Sequence, residues 1–407
     1  MEKHSIISVS IMENKNDFNK SKPAQTVDVT KKKRFNFSSE GFKNFFKKRP
    51  SRKHLGILLG IGLTLIGAGV AYFQFFAPEP AEPNPVPEIT SNYVPPAPTT
   101  LPSPLTGVQV EPSLAQRAVT GVMIENSVDA RPQAGLVDAG VVFEAIAEGG
   151  ITRFLALFQE AQPDYIGPIR SARPYYVRWA AGFDAAYTHS GGSGEALALI
   201  QNLGIKDMDH GTYGNKYFDR VSNRYAPHNV YTSMARLDEL RNSKGYTTST
   251  FTPFSRIALE DKKVEVTTET ATLAPVFAPA TTIAFNISSP LYNTSYAYDA
   301  ATNVYKRTLA GQPHTDERSG KQISPTVVVA LVMTYGIHPD GVHSNYANIG
   351  TGKVLIFQNG VVQEGTWTKS GDKESLSFKD SAGIDIPLQP GQTWITAIPD
   401  GRTTYTP

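Results

Sequence analysis

The sequence predicts a membrane-anchored α+β protein, with a mixed α+β first domain and a β-rich second domain of antiparallel sandwich or barrel-like type. Three observations predict it. An uncharged run, Leu55–Phe76, follows a strongly basic start. Residues 105–254 mix strand and helix patterns without a regular βαβ alternation, which argues for α+β over a doubly wound sheet. Residues 255–407 form short alternating runs separated by turn signals, among them Gln358-Asn-Gly-Val361, a strong two-residue hairpin signal.

Composition narrows the class. The chain has 407 residues, long enough for two folded domains with extensions. It contains no cysteine, which excludes disulfides, thiol catalysis, cysteine-ligated metal centres and a lipidated cysteine anchor. The net charge of +2 hides an asymmetry: 14 Lys and Arg against 5 Asp and Glu precede Leu55, and 25 against 32 follow. The folded part is therefore mildly acidic. That disfavours nucleic acid as a partner, because phosphate backbones need a positive surface.

Taken in order, residues 1–54 are polar and basic with no apolar period to support a core, so a disordered cytoplasmic tail is expected. Leu55–Phe76 has the length and apolarity of a transmembrane helix, with membrane lipid as its partner and aromatic residues at its far end. Basic residues before it and Glu79, Glu82 and Glu88 after it place the N-terminus in the cytoplasm and the rest of the chain outside. Its length and the long N-terminal region favour an uncleaved anchor over a signal peptide. Residues 77–104 are proline-rich and predict an extended spacer.

In residues 105–254, Thr120–Asn126 has the pattern of a buried strand. Val141–Ala147 and Ile151–Gln159 are strands joined around Glu148-Gly-Gly150. Arg173–Phe183 is helical with Pro174 in its first turn. Ala185–His189 is a short strand. Gly194–Leu203 and Thr232–Ser243 are helices, the latter capped by Thr232 or Ser233. Residues 255–407 predict strands at Thr281–Ser288, Thr294–Asp299, Val304–Leu309, Thr326–Tyr335, Gly352–Gln358, Val361–Lys369, Leu376–Lys379 and Thr393–Ile398.

Two constellations carry potential chemistry. Ile166-Gly-Pro-Ile-Arg-Ser-Ala-Arg-Pro174 brings Arg170 and Arg173 to a helix start, where guanidinium forks and free N–H groups suit an anion. The competing reading pairs these arginines with Glu144, Glu148 or Asp164. His189-Ser-Gly-Gly-Ser-Gly194 follows a strand and precedes a helix. Ser190 or Ser193 could act there as nucleophile with His189 or His228 as base, or Ser193 could simply cap the helix. The turn is neither a Gly-x-Ser-x-Gly elbow nor a phosphate loop. Asp209 and His210 add polar groups, but no spacing matches a zinc signature, so neither metal nor cofactor is expected.

The blocks MIENSVDARPQAGLVDAGVVFEAIAEGGITRFLALFQ, IGPIRSARPYY, HSGGS and RYAPHNVYTS, followed by GQPHTDERSGKQISPTVVVALV and GKVLIFQNGVVQEGTWTK, resemble the YerB-like family of bacterial envelope proteins with a DUF3048 domain. The resemblance runs from about Thr120 to the C-terminus. It implies a location outside the cytoplasmic membrane and carries no activity with it. Its shared motifs contain Asn126, Glu144, Glu148, Arg153, Arg170, Arg173, His189 and His228. This chain departs in its anchor, an apolar helix where many relatives carry a lipidated cysteine.

The leading expectation is an extracytoplasmic binding protein for an anionic envelope ligand, such as a cell-wall fragment or a phosphate-bearing polymer. Arg170 and Arg173 would be its clamps, and Glu144, Glu148, Arg153, Asn126, His189, His228, Ser190 and Ser193 would complete the pocket. One alternative is an envelope hydrolase with His189 or His228 as base and Glu144 or Glu148 as acid. Another is a scaffold that binds a protein partner through its C-terminal domain.

Overall fold

A computed structural model of the chain describes residues 52–75, 99–258 and 277–407. It divides into two compact units, Met1–Tyr93 and Val94–Pro407. In the first unit a 24-residue helix, α1 (Arg52–Phe75), begins three residues before the expected apolar run. Ile57, Leu59, Leu63, Leu65, Ile66 and Phe73 on it are exposed. The side chains of residues 52–55 and of Leu58 lie outside the described set. Among the described residues no helix is long and apolar enough to cross a membrane. The expected basic tail up to Ser51 and the proline-rich spacer through residue 98 also lie outside the described residues.

The second unit is built on one 11-stranded sheet. Its first strands are β1 (Thr120–Glu125), β2 (Val141–Glu148), β3 (Ile151–Phe158), β4 (Ala186–His189) and β5 (Lys206–Asp209). β6 (Ala278–Pro279) is an edge piece. β7 (Thr282–Phe285), β8 (Thr294–Asp299), β9 (Val304–Leu309) and β10 (Gln312–Pro313) belong to a second, five-stranded sheet. Then come β11 (Val327–Val332), β12 (Gly350–Gln358), β13 (Val361–Lys369), β14 (Ser377–Lys379), β15 (Thr393–Ile398) and β16 (Thr403–Thr406). The large sheet runs β6-β13-β12-β11-β15-β2-β3-β1-β4-β5, with β14 on the free side of β13. The small one runs β10-β9-β8-β7-β16 and is antiparallel throughout.

The hairpins follow from local chemistry. Gly149 and Gly150 (φ +55 and +79) join β2 to β3, and Asn359 and Gly360 (φ +56 and +73) join β12 to β13. Both central residues of such a turn need positive φ, which is why glycine and asparagine stand there. A bulge between Ile146 and Glu148 shifts the register at the end of β2.

The β-rich half does not close on itself as a sandwich or barrel. β15 lies parallel to β11 on one side and to β2 on the other, with Thr396 opposite Glu144. The reason is visible in β11 and β15, which are apolar and buried along nearly their whole length. Strands apolar on both faces need cover on both faces and neighbours on both edges. One contiguous core accordingly runs from Leu105 to Ile398.

Three helices lie around β1, β3 and β4. In α2 (Pro174–Ala181), Pro174 occupies the first turn and Trp179 stacks on Phe143 at 5.0 Å. α3 (Gly194–Leu203) starts at Ser193, whose hydroxyl accepts from the Ala196 N–H, and stops at Gly204 in the left-handed conformation. α4 (Met234–Ser243) is capped by Ser233 in the same manner.

Candidate functional site

β1, β4 and β5 are mutually parallel, and their carboxyl ends release Glu125-Asn-Ser127, His189-Ser190 and Asp209-His210 side by side. In open α/β sheets this end is where ligands bind. The arginine loop threads between the first two ends. The Glu125 N–H donates to Pro168 O at 2.9 Å, and the Arg170 N–H to Met123 O at 3.0 Å. On the other side the Ser190 N–H donates to Arg170 O at 3.1 Å, and the Ala172 N–H to Gly191 O at 2.9 Å. Gly167 permits the approach, since a Cβ there would sit 2.6 Å from the Tyr231 ring.

The loop delivers its two arginines to different partners. Arg173 donates to Glu148 Oε2 at 2.6 Å and to Ala172 O, and Arg153 binds the other oxygen of the same carboxylate and Ser171 O. Arg153 and Arg173 are buried, and the bulge before Glu148 lets one carboxylate serve both. Burial and the neighbouring Arg173 push the Arg153 pKa down to about 10, against the pull of Glu148.

Arg170 stands apart. Its Nε lies 3.4 Å from Glu125 Oε1 and makes no hydrogen bond, and its side chain is 25% exposed. Glu125 is itself engaged elsewhere: Ser127 donates to its Oε1 at 3.0 Å, and its Oε2 lies 2.9 Å from His228 Nδ1. His228 also lines a cleft of about 580 Å³ with Asp129, Arg131, Arg224 and Tyr225. The three guanidinium groups Arg153, Arg170 and Arg173 face two carboxylates, Glu125 and Glu148, so the cluster is left one positive charge in excess.

The remaining expected residues serve the framework. Glu144 is fully buried and receives Arg307 at 2.7 Å, Trp394 Nε1 at 3.0 Å and the Thr152 hydroxyl at 3.2 Å. Asn126 donates to Thr152 and accepts from Arg131 and Gln133. His189 is fully buried, with Nε2 3.0 Å from Asp207 Oδ1 and Nδ1 2.8 Å from Gly191 O. Ser193 is the helix cap. Ser190 faces His210, with Oγ 3.0 Å from Nδ1, rather than His189 or His228.

The carboxyl ends of β1 and β4 and the arginine loop thus bring Arg170, His228 and Ser190 of the expected set into one neighbourhood, with Glu148, Arg153 and Arg173 as one ion-pair cluster. Glu125, Ser127 and His210 are neighbours of these residues that the sequence did not point to as partners. The signal for Glu125 was an acid at the end of an otherwise apolar run, TGVMIE.

Fold and side-chain cluster together define a mixed-sheet α+β protein with guanidinium, carboxylate, imidazole and hydroxyl groups at the carboxyl ends of its parallel strands. The chain belongs to the DUF3048 family: residues 105–247 match its N-terminal domain and residues 283–395 its C-terminal domain, both described as a protein of unknown function. It is similar to "Putative lipoprotein YerB" of Bacillus subtilis (strain 168), with 32% identity over 302 residues, 74% of this chain and 87% of that relative. The crystal structure of YerB protein from Bacillus subtilis matches with a TM-score of 0.66 at 29% identity, covering 75% of this chain and all of that one.

Proposed function

We propose that this is an envelope protein held to the membrane by its N-terminal helix, with its second unit outside the cell binding an anionic ligand at the crevice of β1 and β4. Arg170 contacts the anion, and His228 and Ser190 flank it. The observation that carries the reading is the state of Arg170: its side chain is 25% exposed, its buried Nε stands 3.4 Å from Glu125 without a hydrogen bond among the described residues, and it lies beside two arginines that share Glu148. A guanidinium presents five donors in a fixed fork, and an incoming phosphate, sulfate or carboxylate would satisfy them bidentately. Arg173, expected as the second clamp, is committed to Glu148 and contributes field rather than contact.

The anchor reading is supported by the basic excess before Leu55, the uncharged run after it and the lipoprotein name of the Bacillus relative. Among the described residues α1 alone is not long and apolar enough to cross a membrane; at about 1.5 Å per residue, a helix over the whole uncharged run Leu55–Phe76 would span roughly 30 Å of hydrocarbon. The Thr64 hydroxyl donates to Gly60 O, so this polar side chain is satisfied within the helix.

The test of binding is thermal. Inorganic phosphate or sulfate should raise the unfolding midpoint of the full-length protein, and Arg170→Ala should abolish the rise. A wild-type midpoint indifferent to both anions throughout the millimolar range would overturn the reading.

A further inference from the structure

We propose that Ser190 and His210 form a nucleophile–base pair that cleaves carboxylic esters, with the neighbouring Arg170 favouring esters that carry an anionic group. The preference for anionic esters rests on the anion reading above; the chemistry at Ser190 does not.

Three serines stand at the carboxyl ends of the parallel strands, and their surroundings separate them. Ser193 spends its oxygen on the Ala196 N–H as the cap of α3. Ser127 lies 3.2 Å from His228 Nδ1, but that nitrogen already faces Glu125 Oε2 at 2.9 Å. Its N–H goes to the carboxylate, leaving no lone pair to take a serine proton. Ser190 Oγ lies 3.0 Å from His210 Nδ1, within the range a general base requires, and no carboxylate oxygen hydrogen-bonds to that nitrogen among the described residues.

His210 is suited to the role. Burial and the nearby Arg220 hold its pKa below the usual histidine value, against the opposing pull of Asp209. The ring is therefore neutral near pH 7, with Nδ1 free to accept when Nε2 carries the proton. Its plane is set by an edge-on contact with Phe218, 5.4 Å between centroids at 81°.

The nucleophile is equally fixed. The Ser190 N–H is held by Arg170 O, and the next N–H, of Gly191, donates to Asp209 Oδ1 at 2.8 Å. This ties the turn after β4 to the turn after β5, the one bearing His210. Gly191, at φ +62, turns the chain toward α3. Both Ser190 and His210 are half-buried and open to solvent. The first-turn N–H groups of α3 follow on the same turn and add positive potential for a developing oxyanion.

In the reaction Ser190 Oγ attacks the ester carbonyl carbon. The Oγ–C bond forms, the carbonyl pair moves onto oxygen, and the Ser190 proton passes to His210 Nδ1. Collapse breaks the bond to the alcohol oxygen, which leaves with the proton from His210. Water then attacks the acyl-Ser190 carbonyl and gives a proton to His210. The carboxylic acid departs, and Ser190 recovers its proton.

The experiment treats the purified full-length protein with a neutral fluorophosphonate and, separately, with p-nitrophenyl acetate. Peptide mass spectrometry should find a single adduct on Ser190. Ser190→Ala should abolish both adduct and turnover, and His210→Gln, checked for an unchanged thermal midpoint, should slow them by about tenfold or more. Labelling should be level above pH 6.5 and decline below it. No adduct, an adduct elsewhere, or an undiminished rate in a folded His210→Gln protein would overturn the ester chemistry. For the anionic preference, the kcat/KM ratio of a carboxylate-bearing to a neutral ester should fall about tenfold in Arg170→Ala. A ratio that does not move overturns that preference alone.

Discussion

Glu144 and Arg307 meet at 2.7 Å with both side chains fully buried, although 163 residues separate them. They tie the family's two domains together at the level of one carboxylate. Trp394, from β15, donates to the same Glu144 oxygen while the Arg307 guanidinium lies 4.4 Å from the Trp394 ring centroid. Removing one partner leaves an uncompensated buried charge, which costs about 3–5 kcal/mol. Glu144→Ala and Arg307→Ala should each lower the denaturant-derived stability by that much. The double variant should cost less than the two losses added, because no lone charge remains. Strict additivity would mean that the pair is not coupled.

The same network makes a pH prediction. His314 is buried, with Nε2 2.8 Å from Gln133 Oε1 and Nδ1 accepting from Arg307. Burial, reinforced by the Arg307 and Arg131 charges, holds its pKa well below the usual value. In the unfolded chain the ring takes up a proton near pH 6.5, while in the folded protein it does not. The unfolded state therefore binds more protons below that pH, and stability falls as pH falls, by up to about 1.4 kcal/mol per unit. Equilibrium unfolding between pH 7.5 and pH 5 should show this slope, and His314→Gln should flatten it. An unchanged slope in the variant would assign it to other groups.

How much of this was legible in the sequence depends on the range of the interaction. β8, β9, β13 and β15 fall on the expected residues because each alternates or runs apolar between turn residues, which is local information. β5, Lys-Asp-Met-Asp, has no apolar pattern; it is a strand because β4 offers it a parallel edge. The Asn-Gly hairpin was local and legible, whereas the insertion of β15 beside β2 was not, since nothing near Thr393 encodes its neighbour. The site divides in the same way. Its arginine loop, its histidines and its serine turn stand out as residue types. The pairing of Arg170 with Glu125, and of Ser190 with His210, depends on three strand ends meeting, and so only the fold reveals it.

The proposed anchor makes a topological prediction. With basic residues before α1 and acidic residues after it, a periplasmic or surface reporter fused after Pro104 should be active, and protease added to intact protoplasts should remove the second unit. Protection of that unit would reverse the orientation. A soluble secreted form lacking Leu55–Phe76 would show that the helix is cleaved rather than retained.

The two arginines of the loop should respond differently to removal. Arg173 is buried and shares Glu148 with Arg153. Losing it breaks a charge-assisted hydrogen bond, worth about 1.5–3 kcal/mol. Glu148 is 24% exposed and keeps Arg153, so the cost should stay below that of stranding a fully buried charge. Among the described residues the Arg170 side chain has no hydrogen bond to lose: its buried Nε stands 3.4 Å from Glu125 Oε1, and that carboxylate is already held by Ser127 and His228. Because Glu125 keeps Ser127 and His228 when Arg170 is removed, Arg170→Ala should cost less stability than Arg173→Ala in the absence of anions. It also takes one positive charge away from the Arg153–Arg173 cluster. In phosphate the order should shift: wild type and Arg173→Ala gain midpoint, the latter from a lower start, while Arg170→Ala gains nothing. A large loss of stability in anion-free Arg170→Ala would mean that Glu125 had been its true partner all along, and that the crevice holds a structural ion pair.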